Sequence, residues 1–244
     1  MKKWIYLSPH LDDAIYSCGG LIHQQAQLGA EVEIWTIFSG QFDPNRLTPF
    51  AKDIHNRWGT GLDSIKARRS EDEKACEILG VTPRHFEFRD VIYRFKENGS
   101  AEIIEDNDLF RAYDKADDPF MESIQFTLQQ AMKKEENMQI CAPLSLGGHI
   151  DHQIVRRAAD KLELDTPLYY FVDFPYIVRT QGQVPNLPKK EFELSESDIN
   201  FWCKGIALYG SQVSTFWDDV ADIHSEIYPY WQKGGGSCLW IREQ

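Results

Sequence analysis

The chain has 244 residues, of which 42% are hydrophobic and 13% aromatic, enough apolar surface for a sizeable core, and this excludes the disordered and fibrous classes. A formal net charge of -12 repels nucleic-acid phosphates and anionic bilayers, which are bound by clustered Lys and Arg, so no nucleic-acid partner is expected. No uncharged apolar stretch approaches the roughly 18 residues of a membrane helix, and His10, Asp12 and Asp13 interrupt the apolar start too early for a signal peptide. Five scattered cysteines, odd in number and without a Cys-x-x-Cys pair, suit buried thiols in a reducing compartment, so a cytoplasmic location is expected.

Trp4 to Ser8 reads as a short apolar strand ending at Pro9, and Ala14, Cys18, Leu21 and Leu28 then recur at helical spacing up to Gly29. Glu31 to Phe38, rich in Val, Ile, Trp and Phe, predicts a second strand, and Ser39 to Gly61, with its Gly, Pro, Asn and Asp, a long loop. Loops of that length usually carry function. Asp63 to Leu79, closed by Gly80, predicts a helix, and Arg84 to Phe88 a short strand, while Arg89 to Asp118 is charged and fits neither period. Glu122 to Lys134 reads as helix, Met138 to Ala142 as a buried strand and Asp151 to Leu162 as helix. Beyond Thr166 come an aromatic strand (Leu168 to Phe174), a Pro- and Gly-containing stretch that reads as a hairpin, a helix near Asp198 to Leu208 and a last strand near Cys238 to Ile241.

This alternation predicts an α/β fold, a Rossmann-like three-layer sandwich with a mostly parallel sheet, in which ligands bind beyond the carboxyl ends of the strands. Without linker, repeat or low-complexity segment, residues 1–244 are expected to form one domain, the part from about 166 onward completing the substrate pocket.

Two motifs follow strands. Ser8-Pro9-His10-Leu11-Asp12-Asp13 comes after the first, and Gly147-Gly148-His149-Ile150-Asp151-His152 after the strand at Met138 to Ala142. Taken singly, Asp12, Asp13 or Asp151 is an ordinary helix N-cap and a lone His an ordinary surface or core residue. Together they gather three histidines and three carboxylates on one rim of the sheet, which is what a catalytic metal site with an open position requires.

These motifs resemble those of the PIG-L (LmbE-like) N-acetylglucosaminyl deacetylase family, His-x-Asp-Asp near the N-terminus and His-x-x-His much later. The likeness continues in Arg68, Glu71, Ala75, Leu79 and Gly80, and in Lys204, Ala207, Ser211 and Gln212, and so spans nearly the whole chain. It implies that His10, Asp13 and His152 bind zinc, that Asp12 is the general base, and that His149, as a cation, stabilises the oxyanion and protonates the departing amine. Asp151 is expected behind one imidazole, and Arg68 and Asp90 at the substrate, although Arg68 also fits a solvated helix face and Asp90 a turn. Tyr169, Tyr170, Phe171, Phe174 and Tyr176 read as core, with stacking on a sugar ring as the alternative.

The implied activity is zinc-dependent removal of an N-acetyl group from a small amino-sugar substrate. Homo-oligomerisation is left open. Leu11 and Ile150 stand where many relatives have Pro, and the segment from Gln41 to Gly61 matches nothing in the family. Three alternatives stay open: hydrolysis of another amide, an iron(II) oxygenase using the same two histidines and carboxylate, and a catalytically silent carbohydrate-binding protein. The oxygenase is disfavoured by the strand and helix alternation.

Overall fold

The computed structural model describes residues 2–133, 135, 137–179 and 183–242. Strand β1 (Lys3–Ser8) is buried along its whole length, as an apolar run in the middle of a parallel sheet must be. Its alternate side chains enter opposite faces: Ile5 and Leu7 join one apolar layer, Trp4 and Tyr6 the other. The same division separates Trp35 from Val32 and Ile34 in β2 (Glu31–Thr36), and Ile140 and Ala142 from Cys141 in β4 (Met138–Pro143). Helices α4 (Asp118–Met132) and α5 (Ile150–Asp160) cover the first face with Ile124, Leu128, Ile154 and Ala158. Helices α1 (Asp13–Gln27), α3 (Ser64–Leu79), α7 (Glu196–Ala207) and α9 (Val220–Gln232) cover the second with Leu21, Leu79, Ile206 and Ile227. The outcome is the expected three layers.

With β3 (Thr82–His85), β5 (Leu168–Phe171), β6 (Lys189–Glu191) and β7 (Cys238–Ile241), the sheet has seven strands in the order β3-β2-β1-β4-β5-β7-β6. The first five of that order are parallel, and β7 runs antiparallel to both its neighbours. The chain moves outward from β1 to β3 and then returns to the centre as β4, so the strand order reverses between β1 and β4. A crevice at the carboxyl ends follows from such a reversal. Because Tyr6 is in register with Cys141, β1 and β4 end level and their following loops lie side by side.

Helix α1 is broken in its middle, where Cys18 has φ -153° and ψ 31°. There Trp202 of α7 donates its indole N–H to the Ile15 carbonyl at 2.7 Å, and a Cβ on Gly19 would stand 2.6 Å from the Trp202 ring. The glycine is therefore a condition of the close α1–α7 crossing that fixes the start of α1 under the site.

Several boundaries differ from expectation. The segment 39–61 is no open loop: it holds α2 (Pro49–Trp58), opened by the Thr48 hydroxyl accepting from Ala51 N–H, with Pro49 in the first turn, and closed by Gly59 at φ 66°. Those end signals stand in the sequence, but the amphipathic run between them is too short to outweigh its flanks. The strand expected from Arg84 starts and ends earlier, because pairing with β2 stops at Thr36 opposite His85. Helix α4 begins at Asp118 and ends at Met132, and Lys134 lies outside the described residues. The hairpin expected between Phe174 and Asp198 holds the short helix α6 (Tyr176–Arg179), falls partly on residues 180–182, also outside the described residues, and its strand β6 pairs with β7 from the far end of the chain. Helices α8 (Gly210–Phe216) and α9 add to the expected elements, and Pro229 interrupts the helical pattern of the latter. All five cysteines are free, and four are buried. Among the described residues no helix is long and apolar enough to cross a membrane.

Replacing Gly19 with Val should overpack the α1–α7 crossing and lower stability by about 1–3 kcal/mol, which thermal unfolding would register as a drop of several degrees. An unchanged melting temperature would show that the crossing tolerates a side chain there.

Candidate metal centre

The loop after β1 is shaped by short polar ties. The Ser8 hydroxyl donates to the His10 carbonyl at 2.7 Å and accepts from Ala14 N–H at 3.0 Å, and Asp13 Oδ2 accepts from His10 N–H at 2.7 Å. Asp12 occupies the N-cap position of α1, yet its carboxylate makes no capping hydrogen bond, so the usual structural role of an Asp in that place is unfilled. In the loop after β4, His149 caps α5 instead: its Nδ1 accepts from Asp151 N–H at 3.2 Å. Gly147 lets the Tyr176 ring lie against this loop, since a Cβ there would come within 2.4 Å of it.

These loops bring His10, Asp12, Asp13, His149, Asp151 and His152 into one buried cluster. Ring nitrogens of His10, His149 and His152 lie within 4.8 Å of one another, a spacing that can hold a metal ion. Asp13 Oδ2 sits between two of them, 3.1 Å from His10 Nδ1 and 3.2 Å from His152 Nε2. His152 Nε2 is buried and has no hydrogen-bond partner. A buried imidazole nitrogen 3.2 Å from a carboxylate but without a hydrogen bond to it is a natural ligand position. The donor set, two imidazoles and one carboxylate, fits a divalent metal with an open position.

Carboxylates also stand behind the imidazoles. Asp151 Oδ2 is 3.1 Å from His10 Nε2 and accepts from Val91 N–H at 3.0 Å, while its other oxygen pairs with Arg94 Nη2 at 2.7 Å. Asp173 Oδ1 is 2.7 Å from His152 Nδ1. Asp90 accepts from Ile92 N–H and so has the turn role, but its second oxygen lies 3.7 Å from His10 Nε2. Arg68 is 3% exposed and does not occupy a solvated helix face. Its guanidinium lies 4.6 Å over the Trp58 ring and 3.7 Å from Asp12 Oδ1.

The two adjacent aspartates are driven apart. Burial raises both, but His152 and His10 outweigh it at Asp13 and hold that carboxyl well below the usual range. Burial, reinforced by Asp13, pushes Asp12 up to about 7, against the pull of Arg68. Burial would lower His152, yet Asp13 and Asp173 draw it up to about 9. Burial and then the charge of His10 hold His149 well below the ordinary histidine range. That direction runs against the expectation of a cation at His149. With Nδ1 accepting a backbone N–H, the neutral ring carries its proton on Nε2.

Around the cluster lies a cavity of about 540 Å3. Its walls include Trp58 of α2, Phe110, Tyr176, and Gln212 and Phe216 of α8. Of the aromatic run, Tyr169 to Phe171 lie in the core strand, while Phe174 and Tyr176 reach the cavity. Glu71 accepts from both the N–H and the hydroxyl of Ser211, at 2.8 and 2.6 Å, which joins two distant parts of the sequence and fixes the start of α8. Sequence reasoning missed Asp173, Arg94 and Trp58. The first lies just past β5 on the same rim, so the rule that singled out the other loops applies to it as well.

Comparison with known proteins agrees with this architecture. The chain is 28% identical over 192 residues to a 2'-N-acetylparomamine deacetylase from Niallia circulans, covering 72% of this chain and 68% of that protein. It is 26% identical over 225 residues to a protein of the same name from Streptomyces fradiae, covering 86% and 73%. A teicoplanin deacetylase, solved in its zinc-inhibited form, superposes with a TM-score of 0.84 at 25% identity and covers 98% of this chain and 97% of that one. These relatives are hydrolases of amide bonds. The family model described as GlcNAc-PI de-N-acetylase matches residues 5–162, well over half of the chain, and the protein therefore belongs to the PIG-L family.

Proposed function

We propose that residues 1–244 act as one zinc-dependent deacetylase domain that removes the acetyl group from an N-acetylated amino sugar carried on a small molecule or glycoconjugate, with the part beyond about residue 166 completing the pocket. The observation that carries this reading is the convergence of His10, Asp13 and His152, with His152 Nε2 free of any hydrogen bond among the described residues, next to an aspartate that does not cap its helix. The names of the relatives supply the substrate class: 2'-N-acetylparomamine and teicoplanin are the molecules named for them.

His10, Asp13 and His152 would hold the ion. When bound, zinc supplies Lewis acidity to the acetyl carbonyl and to the attacking water. Asp12, raised by burial, takes the water's proton as the new C–O bond forms. His149 donates its Nε2–H to the oxyanion, a contact that strengthens as charge develops. The proton held by Asp12 then passes to the nitrogen as the C–N bond breaks, releasing acetate and the amine. Arg68, with a buried Nε that lacks a partner, and Asp90 face the same cavity and bind the sugar. Asp151 orients His10 through its Nε2.

The test is to incubate zinc-loaded protein with a panel of N-acetylglucosaminides and detect free amine. Oxygen consumption by the iron(II)-loaded protein, or sugar binding without turnover, would overturn the reading.

Three variants check the division of labour. His152→Ala should lose most of the bound zinc by metal analysis, and full occupancy would defeat its place as a ligand. Asp12→Asn should keep its zinc and lose roughly 10² to 10⁴ in rate. A divalent cation nearby lowers the Asp12 value of about 7, so the acidic limb of the wild-type profile should fall below that pH and vanish in the variant. His149→Ala should retain zinc and lose turnover more than substrate affinity, whereas loss of metal would make it a fourth ligand.

A further inference from the structure

We propose that Asp173 is a positioning residue of this centre, holding the His152 proton on Nδ1 so that Nε2 is available to a metal. The inference rests on the metal-hydrolase reading above and goes beyond it, because no motif contains Asp173.

The geometry is specific. Asp173 and His152 are each 1% exposed, and Asp173 Oδ1 lies 2.7 Å from His152 Nδ1. A carboxylate oxygen accepts, so that contact keeps a proton on Nδ1 and leaves Nε2 as the nitrogen that gives up its proton when a metal binds. Nε2 is the atom without a hydrogen-bond partner, 3.2 Å from Asp13 Oδ2. The second oxygen, Asp173 Oδ2, accepts from Leu146 N–H at 3.2 Å, which anchors the carboxylate to the loop that carries His149. Both oxygens therefore receive a donor.

The arrangement mirrors the one at His10, where Asp151 backs Nε2 and Nδ1 faces Asp13. The two imidazoles thus present opposite nitrogens to one point, each backed by a buried acceptor. Neither ring is held in its tautomer by the metal side alone.

Substituting Asp173 with Asn exposes the requirement. An amide has one accepting oxygen and one donating nitrogen. If its oxygen serves Leu146 N–H, its NH2 faces His152 Nδ1 and forces the proton onto Nε2, where no metal can bind. If its oxygen serves His152, the NH2 opposes Leu146 N–H. The shape is kept and the donor pattern cannot be.

The experiment measures zinc affinity by chelator competition, with melting temperature, for wild-type protein, Asp173→Asn and Asp198→Asn. The last is a control: Asp198 makes an equally short 2.7 Å contact with buried His23 Nδ1, at the α1–α7 crossing. Asp173→Asn should bind zinc about 10- to 100-fold more weakly. Asp198→Asn should lower the melting temperature and leave zinc affinity unchanged, which separates positioning from loss of a buried contact. Wild-type affinity in a folded Asp173→Asn variant overturns the proposal. Should that variant not fold, 15N NMR of the histidines in zinc-loaded wild-type protein decides, with His152 Nδ1 protonated as expected or metal-bound as the contrary result. Wild-type protein that takes up no zinc defeats the metal reading itself, a distinct outcome.

Discussion

The Asp13 carboxylate lies between an imidazole from each of two loops, 3.1 Å from His10 and 3.2 Å from His152. Buried charge of this density is unstable unless each member is compensated, and much of the surrounding structure does that. Asp151 is held by Arg94, His10 and the Val91 N–H, and Asp173 by His152 and the Leu146 N–H. Protons on the histidines and a divalent cation are two ways of meeting the same surplus of carboxylate, so metal uptake is coupled to proton release.

That compensation is uneven, and the unevenness is chemically useful. Asp12 and Asp13 are neighbours in sequence and equally buried, yet one is held ionised by two imidazoles while the other is pushed up to about 7. Titratable groups driven apart by their environments mark the separate roles of ligand and base. The same logic bears on His149, whose pKa burial and His10 hold down. Its Nδ1 is spent on the helix terminus, and positive charge at its neighbours His10 and His152, whether protons or a bound metal, disfavours protonation of its ring. Its remaining N–H is then a hydrogen-bond donor of fixed direction.

Around this centre the walls come from elements with no metal-binding motif. Trp58 stacks under the Arg68 guanidinium, and α8 is tied to α3 through Glu71 and Ser211. Across the cavity mouth, Arg57 of α2 pairs with Asp106 at 3.0 Å, linking α2 to the segment that carries Phe110. Such walls choose the substrate while the centre performs the reaction.

The sequence by itself determined the layer order and the rim. Alternating periods of 2 and 3.6 are local properties, and a buried parallel strand or a two-layer helix face is written directly into them, as at Trp4 to Ser8 and Ala14 to Leu28. The two His- and Asp-bearing motifs were legible because each lies within a few residues of a strand end. Only the tertiary structure decided what those residues do. That Asp151 stands behind His10 and Asp173 behind His152 depends on groups 141 and 21 residues apart in the chain, brought together at one rim of the sheet. Helix α2 was hidden for a related reason: its ten residues are stabilised by packing of Phe50, Ala51 and Ile54 against the core, and short helices owe more to such contacts than to their own propensity.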